Sequence, residues 1–232
     1  FLVQWTTWLG EVAKGNLGYS WLTQTSVVRT ISLCFAATLE IIMYSVPIII
    51  FVGYKMGVLL AKRAYKKAPR GDVIDEIIRV ASTVGYSTPA FILGIFLLTI
   101  LFLGFRIVPF DRLGLAAGIF VDSSKFIKYT GLYTIDALLN GQLWIFFDAL
   151  LHLVLPVSTL TLTVLPVIIR ITRASMMGEL GKSYVFAARA KGLDEKEVIN
   201  HAKKPSLFSI LTVSGMITAS LLTGIVVVEY IF

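Results

Sequence analysis

The stretch ALLHLVLPVSTLTLTVLPVII, residues 149–169, contains no Asp, Glu, Lys or Arg. A bilayer core is about 30 Å thick, so a helix needs about 20 predominantly apolar residues to cross it. His152 is the one ionisable side chain in this stretch. Pro156 and Pro166 are compatible with a helix here, because neighbouring groups in membrane proteins resupply the hydrogen bonds that proline removes. The stretch therefore predicts a membrane-spanning helix.

Three further stretches have the same character. Residues 80–105 and 205–228 carry no charge, and residues 30–54 carry only Glu40. The whole chain of 232 residues is 56% hydrophobic and 15% charged, with a mean hydropathy of +0.82. Soluble domains carry about a quarter charged residues. The sequence predicts an all-α, polytopic helical membrane protein with four or more transmembrane helices.

The positive charges are unevenly distributed between the predicted loops. Residues 55–79 contain seven Lys and Arg, residues 170–204 contain eight, and the longer loop at residues 106–148 contains four. Positive residues favour the cytoplasmic side of a membrane. Residues 55–79 and 170–204 are therefore predicted to be cytoplasmic, with both chain ends outside. The net charge of +7 is interpreted as orienting the chain against anionic lipid, and no nucleic-acid partner is predicted.

Several chemical functions find no support in the sequence. The GKS at residues 181–183 resembles the end of a phosphate-binding loop, but that loop needs a glycine where Met176 stands. His152 and His201 are predicted on opposite sides of the membrane, so they cannot share a metal. Cys34, the single cysteine, is expected to be a small buried hydrophobe. No catalytic set is present, and no bound cofactor is expected.

Four ionisable side chains in or beside the spans are candidates for a path through the membrane or a gate, because charge in lipid is costly. Glu40 and Glu229 would form an outer gate or a docking point, or would be ordinary helix-end carboxylates in the headgroup region. Asp148 and His152 are four residues apart and share a helical face. They would line the path or sense pH, or form a local pair at the membrane entrance.

Small and hydroxyl-bearing residues in the spans indicate helix packing. Gly215, Ala219 and Gly224 are expected to allow close approach of helices, within this chain or from a second subunit. Six hydroxyl side chains are expected to hydrogen-bond between helices or to line a wet cavity: Thr83, Ser87, Thr88, Thr159, Thr161 and Thr163.

The loop at residues 174–206 has a helix–glycine–helix pattern. A short helix is predicted over residues 183–191, ended by Gly192, a residue type favoured just after a helix. Asp194 and Glu197 have the spacing of a capping box for a second helix over residues 195–203. Pro205 suits the first turn of the next membrane helix. The pattern fits a surface for a partner protein and equally a solvated connector.

The stretch YVFAARAKGLDEKEVINHAKK, residues 184–204, resembles the cytoplasmic loop of ABC importer permeases, whose pattern is Glu-Ala-Ala, three residues, Gly. Within that group, the chain is similar to the dipeptide/oligopeptide/nickel permease family. The similar stretches occur in the family's order: GNLGYS at 15–20, ATLE at 37–40, DALLHLVLP at 148–156, TRASM at 172–176 and VVVEYIF at 226–232.

The resemblance implies that this loop forms coupling helices, which insert into a groove on a separate ATPase subunit. Ala187, Ala188 and Gly192 match the motif, whereas Phe186 stands at the glutamate position. Pro205 and Ser209 replace the family's usual asparagine and proline, so the entry into the last span is open. The implied coupling residues are Phe186, Ala187, Ala188, Arg189, Lys191, Gly192, Leu193, Asp194 and Glu195.

The resemblance also implies an architecture and a set of partners. Residues 1–232 would be one permease domain of a cell-membrane importer, with a further span expected before residue 1 and after residue 232. The implied partners are a homologous permease subunit, two cytoplasmic ABC ATPase subunits and an extracytoplasmic substrate-binding protein. Oligopeptides are the expected cargo; oligosaccharides or nickel are alternatives, and an ion-driven secondary transporter is the rival mechanism.

Overall fold

The computed structural model of the chain describes residues 1–66, 76, 80–81, 83–85 and 87–232. These residues form helices and no β-strand, with one isolated bridge between Tyr19 and Ser26. The all-α prediction is confirmed. The α-helices are, in chain order, α1 (Leu2–Ala13), α2 (Val27–Lys66), α3 (Ala90–Leu97), α4 (Leu115–Val121), α5 (Tyr133–Leu139), α6 (Leu143–Leu180), α7 (Ser183–Ala190), α8 (Glu195–Gly224) and α9 (Val226–Ile231).

Three of the four predicted spans correspond to helices that are long and apolar enough to cross a membrane, namely α2, α6 and α8. Helix α6 has 38 residues. At 1.5 Å per residue such a helix is about 57 Å long, nearly twice the bilayer core. These helices therefore extend beyond the lipid. Helices α2 and α6 contain the predicted spans 30–54 and 149–169, and α8 contains residues 205–224 of the predicted span 205–228.

Residues 55–65 and 170–180 are helical, although the sequence analysis assigned them to loops. Hydropathy indicates where the lipid ends, but it does not indicate where a helix ends. Lys and Arg are good helix formers, so both helices continue past their last apolar turn. The remainder of the first basic loop, residues 67–79, lies outside the described residues apart from Glu76.

The fourth predicted span, residues 80–105, is only partly described. Its described core is a 15-residue apolar helix, residues 90–104, formed by α3 and the π-helical segment Leu98–Gly104. Pro89 is the N-cap of α3, with φ −55° and ψ 136°; a proline is tolerated at a helix start because the N–H that it lacks would have no partner there. The described residues of this span before Pro89, at 80–81, 83–85 and 87, are also helical, so the predicted span has helical residues on both sides of the proline.

The principal helix interface joins α2 to α6. A Cβ atom on Gly53 would clash with Ile168, and one on Gly57 would clash with Thr172, so only glycine allows this approach. In both pairs the α6 residue number exceeds the α2 number by 115. The two helices therefore run parallel, and Val27 lies level with the start of α6. The spacing Gly-x-x-x-Gly is the small-residue pattern that brings membrane helices together.

The predicted close packing at Gly215, Ala219 and Gly224 is not found within the described chain. Gly215 and Gly224 are exposed and have open space where a Cβ would be, so they admit no neighbouring helix within the described chain. Ala219 is also exposed. Contact of this surface with a second subunit stays a prediction. The prediction that Cys34 is buried is not met within the described chain, because Cys34 is exposed on α2.

The predicted hydrogen bonds between helices are also wrong for three of the hydroxyl residues. Thr88, Thr159 and Thr163 each donate to the backbone carbonyl four residues earlier in their own helix, at 2.7 to 2.9 Å. A threonine hydroxyl in a helix has this carbonyl within reach. The hydroxyl therefore makes its hydrogen bond within its own helix, and the contacts between helices are made by glycines and apolar side chains.

Residues 106–142, predicted only as a long loop, fold into a small unit that is called the cap here. It contains α4 and α5, which surround a core of their own. Phe120 contacts Phe126 and Trp144 edge to face, with ring centroids 6.5 and 5.7 Å apart. The buried side chains of this core are Ala117, Val121, Phe126, Ala137 and Ile145.

Asp136 fixes the backbone of the cap. The side chain is fully buried and accepts hydrogen bonds from the backbone N–H groups of Thr130 and Gly131 and from the Thr130 hydroxyl, at 2.8 to 2.9 Å. Gly131 has a φ of +80°, a conformation that favours glycine. The carboxylate therefore provides the hydrogen-bond acceptors for the backbone N–H groups of the tight turn that leads into α5.

We expect Gly53→Ala to destabilise the chain by about 1–3 kcal/mol, because the added methyl overpacks the α2–α6 contact. Gly215→Ala is the matched control: it adds the same methyl to an exposed helix position and should be neutral or stabilising by up to about 1 kcal/mol. Thermal unfolding in detergent measures both. Equal responses of the two variants would contradict the proposed packing.

We expect Asp136→Ala to loosen the cap, because it leaves buried N–H groups without acceptors, each costing about 1–3 kcal/mol. Limited proteolysis should then cut within residues 106–142 while α2 and α6 stay resistant. Asp122→Ala removes an exposed carboxylate whose partner is Lys128 at 2.8 Å and should leave the cap intact. Cutting at the same rate in both variants would show that Asp136 has no such role.

Candidate functional site

Helix α7 packs across the basic ends of three long helices. Its Val185 is fully buried, and Ala188 is 9% exposed. Both side chains point into a core that α2, α6 and α8 share, so movement of α7 is mechanically connected to all three helices. The core residues outside α7 are Val58, Ala61, Met176, Leu180, Val198, Ile199 and Ala202.

The opposite face of α7 is open. Phe186 is 58% exposed and Tyr184 is 37% exposed, with Ala187 and Ala190 beside them. Ala188 faces inward, so the alanine surface that a partner could reach consists of Ala187 and Ala190. Among the other predicted coupling residues, Lys191, Gly192, Asp194 and Glu195 are exposed, whereas Arg189 and Leu193 are partly buried.

Gly192 ends α7 as the sequence predicted. Its φ is +81°, and its N–H donates to the Arg189 carbonyl at 2.8 Å. Glycine adopts this left-handed backbone at little cost. The glycine therefore turns the chain between α7 and α8 within a few residues.

The start of α8 differs from the prediction. Asp194 is the N-cap, but its side chain makes no cap hydrogen bond, so the predicted capping box is wrong. The Asp194 backbone carbonyl accepts from the N–H of Glu197 at 2.9 Å instead. An ordinary first helical turn with two glutamates near the positive end of its dipole is sufficient to begin the helix.

The second loop helix and the last predicted span are one helix. Helix α8 passes through Pro205, which the sequence analysis had placed in the first turn of a separate span. Hydroxyl groups supply extra bonds around this point: Ser206 Oγ donates to the Lys203 carbonyl at 2.8 Å, and Ser175 Oγ donates to the Ser206 carbonyl at 3.3 Å. Proline is tolerated in membrane helices where such groups are available.

Arg189 joins three elements. Its Nε donates to Glu195 Oε1 at 2.7 Å, and its Nη2 donates to Oε2 at 3.4 Å. The guanidinium lies 5.0 Å from the centre of the Tyr65 ring on α2, within cation–π range. The Glu195 hydrogen bond, followed by the Tyr65 contact, raises the pKa of Arg189. The sequence had no signal for Tyr65 as a partner.

A second set of polar contacts joins α7 to the end of α6. Glu179 accepts from Lys182 Nζ at 2.7 Å and from the Tyr184 hydroxyl at 2.9 Å. Burial, together with the Glu179 contact, raises the pKa of Tyr184 to about 12. The phenol therefore remains a hydrogen-bond donor at physiological pH, and this contact persists there.

The cap end of the helices holds the four predicted path or gate residues. Glu40 is 3% exposed. One of its oxygens accepts from the Thr134 N–H and hydroxyl at 2.7 and 2.8 Å, and the other accepts from Arg112 Nη2 at 3.0 Å. Arg112 also lies 4.3 Å above the Tyr133 ring. Glu40 therefore binds the start of α5 and the loop before α4.

This position corrects the helix-end interpretation of Glu40. Thirteen residues of α2 precede it, which is about 20 Å of helix. A carboxylate so far from the helix terminus and so deeply buried requires partners. Those partners come from the cap, about 70 to 95 residues later in the chain, where no local pattern could have indicated them.

Asp148 and His152 form the predicted pair. Asp148 Oδ2 lies 3.6 Å from His152 Nδ1, and that ring nitrogen is also 2.7 Å from the Asp148 carbonyl oxygen. Asp148 Oδ2 accepts in addition from the N–H of Gly114, the N-cap of α4, at 2.7 Å. Asp148 therefore holds α4 on α6, as Glu40 holds α5 on α2.

A small cavity of about 40 Å³ brings three of the four predicted residues together. Glu40, His152 and Glu229 line it, with Asp111, Arg112 and apolar side chains around them. Glu229 Oε1 is buried and has no hydrogen-bond partner in the described part of the chain. A buried water needs roughly 10–15 Å³, so the cavity accommodates a few waters or one small group.

Asp148 and His152 also face a wider cleft of about 690 Å³ beside the end of the π-helical segment, with Arg106 and Val108 on its opposite wall. Among the described residues no group of three or more His, Cys, Asp or Glu side chains has a geometry for a metal ion. The arrangement offers hydrogen bonding and charge at the cap end, and an exposed aromatic helix at the basic end.

Comparison with known proteins shows which family this chain resembles. The family model described as binding-protein-dependent transport system inner membrane component matches residues 53–232. The di/tripeptide transport system permease protein DppB of Pseudomonas aeruginosa is 36% identical over 231 residues, which are 99% of this chain and 65% of the relative.

Two other relatives are also similar to this chain, and in each the matched region is about 65% of the relative's own length. The dipeptide transport system permease protein DppB of Haemophilus influenzae is 34% identical over 97% of this chain and 64% of the relative. The probable D,D-dipeptide transport system permease protein DdpB of Escherichia coli K12 is 31% identical over 99% of this chain and 65% of the relative. With its three long apolar helices, the chain is a multi-pass membrane protein, and it belongs to the family of binding-protein-dependent transport system inner membrane components.

Proposed function

We propose that this chain is the permease subunit of an ATP-driven importer for oligopeptides. It would form the path with a homologous permease subunit, take substrate from an extracytoplasmic binding protein and be driven by two cytoplasmic ABC ATPase subunits. The family description supports the dependence on a binding protein, and three relatives carry dipeptide transport in their names. ATP hydrolysis would take place on the partner subunits.

The observation that carries this proposal is the placement of α7. Its inner face is buried in a core shared with α2, α6 and α8, while Phe186 and Tyr184 face outward. A partner that grips the outer face would therefore act on three long helices at once. Exposed aromatic side chains on a fixed backbone are the usual anchors of protein interfaces.

The polar contacts of α7 would keep it in place when a partner moves it. Arg189 connects it to Glu195 at the start of α8 and to Tyr65 on α2, and Tyr184 connects it to Glu179 on α6. With these contacts, the helix would transmit a displacement instead of tilting independently. In this proposal residues 170–204 and the described part of residues 55–79 lie in the cytoplasm.

At the other end of the helices, the cap would form part of the outer mouth of the path. Glu40 and Asp148 hold it on α2 and α6. Around the small cavity, Glu40, Asp111 and Glu229 outnumber the single guanidinium of Arg112. An excess of carboxylates favours a cargo with a positive group, such as the terminal ammonium of a peptide, over a neutral oligosaccharide.

An ion-driven transporter is the alternative mechanism, and it would need a buried charged pair inside a span. Glu40 and Arg112 form an ion pair at 3.0 Å, but Arg112 belongs to the cap and not to a span, and its side chain is 35% exposed. Both Glu40 oxygens are also held by donors of the cap. Uptake in vesicles separates the two mechanisms. ATP-dependent uptake that survives a proton uncoupler supports the importer, and uptake abolished by the uncoupler alone supports the ion-driven transporter.

The face of α7 that meets the ATPase can be tested by cysteine crosslinking in membranes, in a Cys34→Ser background of the full-length protein. We expect Ala187→Cys to form an adduct with the ATPase subunit, because Ala187 is exposed. Ala188→Cys, one residue away but buried, should react at least about tenfold less, as thiol reactivity requires access. Equal reaction at both positions, or an adduct from Ala188→Cys alone, would contradict this orientation.

Truncation of the exposed aromatic should uncouple the transporter. We expect Phe186→Ala to lower ATP-dependent uptake by about tenfold or more, since loss of an interface anchor costs about 2 kcal/mol or more. Phe186→Leu keeps most of the apolar contact and should retain most of the uptake. ATPase stimulation by peptide-loaded and by sugar-loaded binding protein, measured on the same preparations, identifies the cargo. Normal uptake by Phe186→Ala would count against the coupling role.

A further inference from the structure

Helix α1 buries none of its residues in the described chain. Its apolar and polar side chains are nevertheless separated. At 3.6 residues per turn the apolar ones, except Val3, fall within an arc of about 140°, wide enough for the buried face of an amphipathic helix. They are Leu2, Trp5, Trp8, Leu9, Val12 and Ala13; outside this arc lie the polar residues Gln4, Thr7 and Glu11, with Thr6 at its edge.

The apolar face of α1 is open along its whole length. Trp5 and Trp8 are 55% and 56% exposed, and Leu2 is 78% exposed. Large aromatic side chains are normally buried, either in the core of a protein or at an interface. Helix α1 has two tryptophans and two leucines exposed on one face, so a partner that would bury this face is missing from the isolated chain.

The connection to α2 fixes the level of α1. The Val27 N–H donates to the Gly18 carbonyl at 2.9 Å, so the turn after α1 is bonded to the first residue of the membrane-spanning helix. Only four residues lie between Ala13 and Gly18, so five Cα–Cα steps limit the distance between them to about 17 Å. The end of α1 must therefore lie near the level where α2 begins.

The predominantly apolar run that begins at residue 30 puts that level at the outer edge of the predicted span. Val27 lies level with the start of α6, as the Gly53 and Gly57 contacts require. Just below it, α2 presents exposed apolar side chains, including Ile31, Leu33 and Phe35, that suit contact with lipid tails. The turn between α1 and α2 adds Trp21, which is 94% exposed. Tryptophan is enriched where lipid tails meet headgroups.

The polar face of α1 has little net charge. Glu11 accepts from Lys14 at 3.1 Å and from Asn16 at 3.0 Å. The Asn16 contact, followed by the Lys14 contact, lowers the pKa of Glu11. The acidic group is thus matched by groups of the same segment and does not provide a charged patch for a protein partner.

We propose that α1 is an interfacial helix that lies in the membrane surface at the cap end, with Trp5, Trp8 and Leu9 inserted among the lipids. Its apolar face would sit roughly 5–10 Å into the boundary between headgroups and acyl chains. The helix would then anchor the start of α2 at a set depth. This inference depends on the membrane location and not on the transport function proposed above.

Spin labels can identify what covers this face. Leu9→Cys on the apolar face and Thr7→Cys on the polar face, each in a Cys34→Ser background of the full-length protein in nanodiscs, provide matched positions. Accessibility to oxygen reports lipid, and accessibility to a soluble nickel chelate reports water. We expect the oxygen-to-nickel ratio at Leu9 to exceed that at Thr7 at least about threefold, as for an interfacial helix.

The other outcomes overturn the proposal. Similar nickel accessibility at both positions would place α1 in water. A label at Leu9 that neither reagent reaches would assign the face to a protein, such as a second permease or the binding protein. Val12→Cys and Gln4→Cys repeat the comparison one turn away, so that a local disturbance at one residue does not decide the result. The ratio should alternate with the helical period if lipid covers the face.

Discussion

The contact between α2 and α6 at Gly53 and Gly57 sets the geometry of the rest of the molecule. Because these two glycines admit Ile168 and Thr172, the helices run parallel at a fixed relative height. That height brings Val58 and Ala61 beside Met176 and Leu180, where α7 packs. It also brings Glu40 and Asp148 to the same end, where the cap binds. A shift of one helical turn, about 5.4 Å, would dissociate both sets of contacts together.

The two ends of this helix pair are built on different physical principles. At the basic end, α7 is held by a shared apolar core, and polar contacts such as Arg189 with Glu195 surround it. At the cap end, buried carboxylates accept backbone N–H groups, with Glu40 at Thr134 and Asp148 at Gly114. Apolar packing tolerates sliding of surfaces, whereas charge-assisted hydrogen bonds lose most of their strength within a small displacement. The cap contacts are therefore the more directional of the two.

Much of the fold was predictable because lipid imposes a strong constraint on sequence. Hydropathy located α2, α6 and α8, and Gly192 located the end of α7. The basic ends of α2 and α6 were not predictable, because Lys and Arg continue a helix as readily as they end a hydrophobic run. The Asp148–His152 pair is a local contact and could be predicted. Glu40 is bound by Arg112 and Thr134, which are distant from it in sequence, so these contacts could not be predicted. The inward orientation of Ala188 could not be predicted either, because it depends on the faces of three other helices.

The continuity of α8 through Pro205 has a mechanical consequence. Its 30 residues form one helix from Glu195, beside α7, to Gly224 at the far side of the bilayer. At 1.5 Å per residue this helix is about 45 Å long. A rigid rod of that length converts a rotation of about 5° at one end into a movement of roughly 4 Å at the other. A break in the helix between Lys203 and Pro205 would have absorbed such a rotation. Because α8 is continuous there, a small displacement at its basic end produces a larger one at its other end.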